Sequence, residues 1–276
     1  MCAVRSLTAV VSLAFLVSAC GDRPTPTAAS EQPNFIVNGT PTGSSFPSVG
    51  ALLFDFNHDG VLNGDDELCT GSLIAPTVFL TAAHCVAGAP PSTPFSVSFA
   101  ADLYAGSIRT IAATGFTWDP GFGHDQGDLH DLAVVFLPAR ATRGMEIYQL
   151  PPAGYLDQLA AQGGLVDAVF VNVGYGTAST RTGSPGFPYN GLRNVSESEF
   201  MALQPAWLGL LMNANATGLG GDCYGDSGGP KFRKGHLNII VATVTTGDLP
   251  CRGTSWDYRV DTPVARAFLG QFVTLP

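Results

Sequence analysis

An all-β fold of short strands, a barrel or a sandwich, is what this sequence predicts. Three observations carry the prediction. The 276 residues include 33 glycines and 20 prolines, turn formers spread along the whole chain. Between them lie many short apolar runs bounded by turn signals. No segment repeats at a period of 20 to 50 residues, so a solenoid or propeller is not expected.

The strands follow in order. Ser48–Phe54 is apolar and precedes an acidic turn. Gly71–Ile74 and Val78–Leu80 flank the breaker Ala75-Pro76-Thr77. Phe95–Phe99 alternates with period two, as a half-buried strand does. Leu132–Leu137 is a continuous apolar run, which suits a strand buried on both faces. Val166–Val173 and Leu237–Val244 add two more. One helix has clear limits: Asp261 or Thr262 caps it, Pro263 suits its first turn, Val264, Ala267 and Phe268 share a face, and Gly270 ends it. Leu150-Pro151-Pro152 reads as a link between two halves.

Composition narrows the function. Only 13% of residues are charged and the net charge is -9. Phosphate binding needs clustered Lys and Arg, so nucleic acid is not an expected partner. The N-terminus reads as an export signal, residues 1–19, with Arg5 followed by the apolar run Leu7–Val17. That run is too short to span a bilayer. It ends in Val17-Ser18-Ala19-Cys20, which resembles a bacterial lipobox; the resemblance implies a lipid on Cys20 after cleavage. The alternative is a plain secretory signal. Residues 20–35 are rich in Pro, Thr, Ala and Ser and read as a tether or pro-segment. The expected location is outside the cytoplasmic membrane, secreted or lipid-anchored.

With Cys2 in the signal and Cys20 as lipid acceptor, Cys69, Cys85, Cys223 and Cys251 remain. An even number in an exported chain points to disulfides. The short loops Cys69–Cys85 and Cys223–Cys251 are the simplest of three pairings, each constraining the unfolded chain by about 3 kcal/mol. No CxxC or HxxxH spacing supports a zinc site.

Gly225-Asp226-Ser227-Gly228-Gly229-Pro230 is the most informative segment. A serine hydroxyl is a poor nucleophile unless its surroundings activate it. Flanking glycines let the backbone turn tightly and approach a substrate. In such a turn the amides of Gly225 and Ser227 can stabilise a developing oxyanion, each worth about 3 kcal/mol in the transition state. The base is sought among five histidines. His84 ends an apolar strand beside Cys85, whereas His58, His124, His130 and His236 lie in polar contexts and read as surface residues. The carboxylate that orients the imidazole is Asp131, at the head of the run Leu132–Leu137; Asp125 and Asp128 read as solvated.

Thr81-Ala82-Ala83-His84-Cys85, Asp131-Leu132-Ala133-Val134 and Gly225–Pro230 together resemble the three signature segments of the chymotrypsin/trypsin family, in that family's order, over about residues 36 to 273. The resemblance implies two six-stranded antiparallel barrels, about 36–150 and 151–276, with the site in the cleft between them and a short C-terminal helix. It implies an endopeptidase in which Ser227 attacks the scissile carbonyl, His84 relays the proton and Asp131 holds the ring. It requires no catalytic cofactor and implies a protein or peptide substrate; we expect a monomer.

Ile36-Val37-Asn38-Gly39 looks like the mature N-terminus of this family. The resemblance implies a zymogen: cleavage before Ile36 frees an amine that pairs with Asp226 and orders the oxyanion loop. Phe35 stands where the family often has a basic residue, so a separate processing protease is expected. By the same resemblance Gly221, Asp222, Thr245, Thr246 and Gly247 frame the substrate pocket. Gly221 occupies the position, six before Ser227, where trypsins carry aspartate. Two readings stay open: Asp222 attracts Arg or Lys side chains, or it points away and the pocket is apolar, with Trp256 a possible obstruction.

A second motif is independent. Residues 55–66 match an EF-hand-type loop, with oxygen ligands at Asp55, Asn57, Asp59, the Val61 carbonyl, Asn63 and Asp66, and Gly60 at the sharp turn. A structural Ca²⁺ is expected there; the alternative is a solvated acidic hairpin. Against the endopeptidase stand two other readings, a catalytically silent binding module on a protease scaffold and an esterase.

Overall fold

The structure is a computed structural model and describes residues 38–177 and 189–276. The signal segment, Cys20, the tether and Ile36 lie outside the described residues.

After a short β1 (Thr40–Pro41), the N-terminal half forms β2 (Val49–Leu53), β3 (Glu67–Ala75), β4 (Val78–Thr81), β5 (Ser96–Ser98), β6 (Thr110–Ala112), β7 (Gly115–Trp118) and β8 (Ala133–Phe136). They pair antiparallel in the order β6-β5-β2-β3-β4-β8-β7. Among the described residues the end strands β6 and β7 do not pair, so this half is a seven-stranded half-barrel.

The C-terminal half runs α1 (Tyr155–Ala161), β9 (Val169–Gly174), β10 (Asn194–Leu203), β11 (Trp207–Leu211), α2 (Ala214–Thr217), β12 (Pro230–Arg233), β13 (His236–Gly247), β14 (Thr254–Arg259) and α3 (Pro263–Leu269). Here β10-β11-β14-β13-β12-β9 form a ring, because β9 also pairs with β10, and β1 adds to β10. The second half is therefore a closed six-stranded antiparallel barrel. The expected pair of barrels is present, the first open where two closed rings were expected.

Apolar packing joins the halves. One core cluster combines Val49, Leu80, Leu132 and Val134 of the first half with Val171, Val173, Phe232 and Tyr258 of the second. Burying each such side chain contributes roughly 1.5–3 kcal/mol. The half-barrel keeps its own core around Leu52, Leu73, Phe79, Val97 and Val135. The C-terminal barrel keeps another around Phe170, Leu208, Leu210 and Val241. Arg193, only 2% exposed, pins the seam: its guanidinium donates to the carbonyls of Ser45, Val49 and Phe99 and to the hydroxyl of Thr42.

Local expectations largely hold. The hydroxyl of Thr262 caps α3 by accepting from the Ala265 amide, Pro263 fills the first position and Gly270 ends it. Asp261, the other candidate cap, instead accepts from Arg259 and from the amide of Leu156 in α1. Both disulfides pair as the short loops suggested, Cys69 with Cys85 and Cys223 with Cys251. The strand expected from Val166 begins three residues later. Asp167 takes a left-handed φ of 55° in a turn, which leaves Val166 73% exposed.

Candidate active site

The site begins with register. Strands β4 and β8 run antiparallel with Thr81 opposite Ala133. The end of β4 therefore lies beside the start of β8, and residues just beyond each must meet. His84 sits in a single 3-10 turn, Ala83–Cys85, directly after β4. Asp131 precedes β8. Its Oδ2 lies 2.8 Å from His84 Nδ1, and its Oδ1 accepts from the His84 amide at 2.8 Å. Asp131 is fully buried, while the His84 side chain is 33% exposed. A buried polar group needs hydrogen-bond partners, and here both oxygens have one. The two-pronged contact fixes the ring, and the bond at Nδ1 leaves Nε2 as the nitrogen available to a substrate or nucleophile.

Ser227 comes from the other half, in the turn before β12. The amides of Asp226, Gly228 and Gly229 donate inward to the carbonyls of Cys223, Val244 and Asp226. Among the described residues the amides of Gly225 and Ser227 have no protein acceptor. Both residues are partly exposed, whereas Asp226, Gly228 and Gly229 are buried. Gly225 takes a φ of 95°, open only to glycine, and a Cβ there would come 2.9 Å from the Gly176 backbone. The turn thus engages the amides of Asp226, Gly228 and Gly229 and keeps those of Gly225 and Ser227 for an incoming oxygen, the pattern an oxyanion site needs.

Thr70 on β3 joins the two halves of the site. Its amide donates to the Ser227 carbonyl at 2.9 Å and its hydroxyl to the Gly225 carbonyl at 3.0 Å. Its own carbonyl accepts from Thr81 Oγ1 at 2.8 Å. Next to it, Cys69 is disulfide-bonded to Cys85, the neighbour of His84. Sequence reasoning missed Thr70, whose residue type suits any strand.

His84 and Ser227 line one cavity of about 360 Å³ with Asp222, Val244, Thr245 and Gly247. Met212 and the Cys223–Cys251 disulfide add apolar wall. Of the five residues expected to frame a substrate pocket, Asp222, Thr245, Thr246 and Gly247 line this cavity. Gly221 does not: Met212 packs against it, and a Cβ on Gly221 would overlap the Met212 sulfur. Nor does Trp256 obstruct the cavity. Alternation along β14 buries Ser255 and Asp257 and sends Trp256 over Gly209. Asp128 and His130 also depart from expectation. Asp128 is half-buried and accepts from the phenol of Tyr258, and half-buried His130 lies 3.1 Å from Asp119.

Asp226 is fully buried and accepts from the amides of Gly176 and Cys223, both at 2.8 Å. Among the described residues no cation forms an ion pair with it. Burial, and then the charge of Asp222, push its carboxyl up to about 7. Glu67, at the start of β3, has its Oε1 buried without a partner. Burial first, and then Asp226, raise its carboxyl well above the usual range.

The acidic loop closes on itself. Asp55 accepts from Gly60, Asn57 from Asp59, Asp59 from Val61, and Asp66 from Phe56 and Asn63. Asp55 Oδ1 is buried without a partner. Asn63 caps a 3-10 turn, Gly64–Asp66. Among the described residues, the one set of three His, Cys, Asp or Glu ligand atoms within 4.8 Å is Cys69, His84 and Cys85, and both sulfurs are spent in the disulfide. The loop carboxylates do not converge to that degree.

The family model described as Trypsin matches residues 42–269. Brachyurin of Leptuca pugilator is 30% identical over 206 residues, 68% of this chain and 76% of that protein. Among solved structures, a mutant of human heparin binding protein (CAP37) has a TM-score of 0.60 at 20% identity, covering 86% of this chain and 96% of that one. Neuropsin, a serine protease of mouse brain, has a TM-score of 0.58 at 18% identity, covering 86% and 99%.

Asp226 gives a pH prediction. An ordinary carboxyl ionises near pH 4 in the unfolded chain. Folded Asp226 keeps its proton up to about 7. The stability linked to that proton is complete below about pH 4 and is lost as pH rises towards 7. In full-length protein carrying Ser227→Ala, urea midpoints should fall over this window relative to the same protein with Asp226→Asn added. Parallel curves would contradict the assignment.

Proposed function

Because this chain belongs to the trypsin family of serine proteases, we propose that it is an active endopeptidase that cleaves peptide bonds through an acyl-enzyme on Ser227. The observation that carries the reading is the paired contact of buried Asp131 with both the ring and the amide of His84, on the wall of the cleft that Ser227 shares. His84 takes the Ser227 proton as the hydroxyl attacks the carbonyl. The Gly225 and Ser227 amides hold the oxyanion. The imidazolium, stabilised by Asp131, then gives the proton to the leaving amine, and water repeats the sequence to free the acid. The reaction needs no cofactor. Esterase turnover follows from the same chemistry. A silent binding module is the second reading, since a fold match to heparin binding protein carries no activity with it.

The chain is made as a zymogen on this reading. Asp226 supports it: a buried carboxyl held by two neutral amides, with no cation paired to it among the described residues, is a place prepared for a cation. The amine freed by cleavage before Ile36 supplies one. Phe35 before the cut calls for a separate processing protease, and Cys20 anchors the precursor to a membrane through lipid after export.

In the acidic loop Asp55, Asn57, Asp59, Val61, Asn63 and Asp66 hold a structural Ca²⁺. The support is their spacing and the unpartnered Asp55 oxygen. A bound ion would be held by these oxygens and would stiffen the link between β2 and β3.

Two measurements test this reading. A fluorophosphonate probe should label the protein cut before Ile36, label the uncut chain at least about tenfold more slowly, and leave Ser227→Ala unlabelled; no labelling of the cut protein leaves the silent scaffold. Millimolar Ca²⁺ should raise the melting temperature against a chelator control, and Asp55→Ala should abolish the rise. An unchanged melting temperature removes the metal from the account.

A further inference from the structure

Behind the cleft, inside the closed barrel, lies a charged cluster that the proposed hydrolysis does not use. Lys231 follows Ser227 by four residues, on β12, and is fully buried. Register places it beside Asn172 of β9. Its ammonium donates to Asp222 Oδ2 and, at 2.7 Å, to Asn172 Oδ1, and it lies 3.4 Å from Asp257 Oδ1. Of its three N–H groups, two make hydrogen bonds, and the third carboxyl or amide neighbour, Asp257, lies within ion-pair distance. The amide of Asn172 donates to Ser196 and Ser198, which fixes its oxygen towards the lysine.

Asp222 is the member that reaches the cleft. It lines the cavity with Ser227, and both of its oxygens already have a partner inside the barrel. Lys231 takes Oδ2, and Ser255 Oγ lies 2.9 Å from Oδ1. Ser255 Oγ is also 2.9 Å from Asp257 Oδ1. A hydroxyl carries one proton, so Ser255 bridges the two carboxyls and donates to one of them at a time. Burial pushes the Asp257 carboxyl up to about 8, with Lys231 pulling it down and Asp222 adding to the rise. The Lys231 ammonium lies against both carboxyls and offsets their charge. A cationic substrate side chain entering this cavity would give up water for a carboxylate already neutralised, a poor exchange.

We infer that Lys231 is a specificity-determining residue, a built-in counter-ion standing where a substrate cation would otherwise bind. The cleft then selects an uncharged side chain before the scissile bond, against Met212, Val244 and the Cys223–Cys251 disulfide. This rests on the protease reading for its catalytic consequence, but the pocket's charge can be read without turnover.

The experiment uses protein cut before Ile36. Two peptide substrates differ only in Leu or Arg before the scissile bond, and benzamidine serves as a small cationic probe followed by thermal shift. The unaltered protein should favour Leu by at least about a hundredfold in kcat/KM and gain no thermal protection from millimolar benzamidine. Lys231→Met frees Asp222; the Arg-to-Leu ratio should rise by at least about tenfold and benzamidine should now protect. Lys231→Met with Asp257→Asn removes one buried carboxylate along with the ammonium, and gives the same readout should the single variant fail to fold. Preference for Arg in the unaltered protein, or folded variants with an unchanged ratio and no benzamidine protection, would overturn the inference. Protection gained by a variant that never labels with fluorophosphonate would support the pocket assignment and refute the protease reading.

Discussion

Two adjacent residues on one strand hold the site together. Cys69 and Thr70, on β3, reach in different directions to the two groups that must meet. Cys69 grips Cys85 and so the turn carrying His84. Thr70 grips the carbonyls of Ser227 and Gly225 through its amide and hydroxyl. The proposed base belongs to the half-barrel and the proposed nucleophile to the closed barrel. Their relation is therefore set by the seam between halves, and β3 carries it at the point of contact. Misplacement of reacting groups by about 1 Å costs on the order of a hundredfold in rate, so a short clamp beside the site matters more than the same bonds elsewhere. The apolar seam and the buried guanidinium of Arg193 supply the stiffness behind it.

The chain carries few charges, and several of its buried ones stand at functional positions. Asp131 is satisfied by His84, Asp226 by two amides, and Asp222 by Lys231 and Ser255. Each is a carboxylate removed from water, and each solves that cost differently. For Asp131 the solution fixes a ring, for Asp226 it leaves a cation wanting, and for Asp222 it cancels a charge at the cleft wall. Arg259 with Asp261 and Asp157 is a fourth case, which braces β14 against α1.

The parts legible in the sequence were those whose chemistry is written locally. Glycines about Ser227, the His84-Cys85 pair, Asp131 at the head of an apolar strand and the Thr262-Pro263 helix start each declare themselves within a few residues. Thr70 and Lys231 do not. A threonine in an apolar run is an ordinary strand residue, and a lysine just past Gly228-Gly229-Pro230 reads as exposed. Their roles come from pairing across the chain: Thr70 from the edge that meets a turn about 155 residues away, Lys231 from a strand covered on both faces. Phe232 packs with Phe46 and Tyr148 on one side, while Lys231 faces the polar barrel interior on the other. The open first barrel was equally hidden, because pairing of β6 with β7 is a long-range relation that neither strand's residues declare. Asp128 and His130 misled for a related reason: a polar, Gly-rich loop looks solvated until the opposing Tyr258 is known.

The most direct test of this account is Thr70→Val, which keeps the shape and removes one hydroxyl. The measurement is the rate at which a fluorophosphonate acylates Ser227 in protein cut before Ile36, set beside the melting temperature. The account predicts a rate at least about tenfold lower with a melting temperature within a few degrees of the original. Acylation as fast as in the unaltered protein would show that the clamp on β3 does not position the nucleophile.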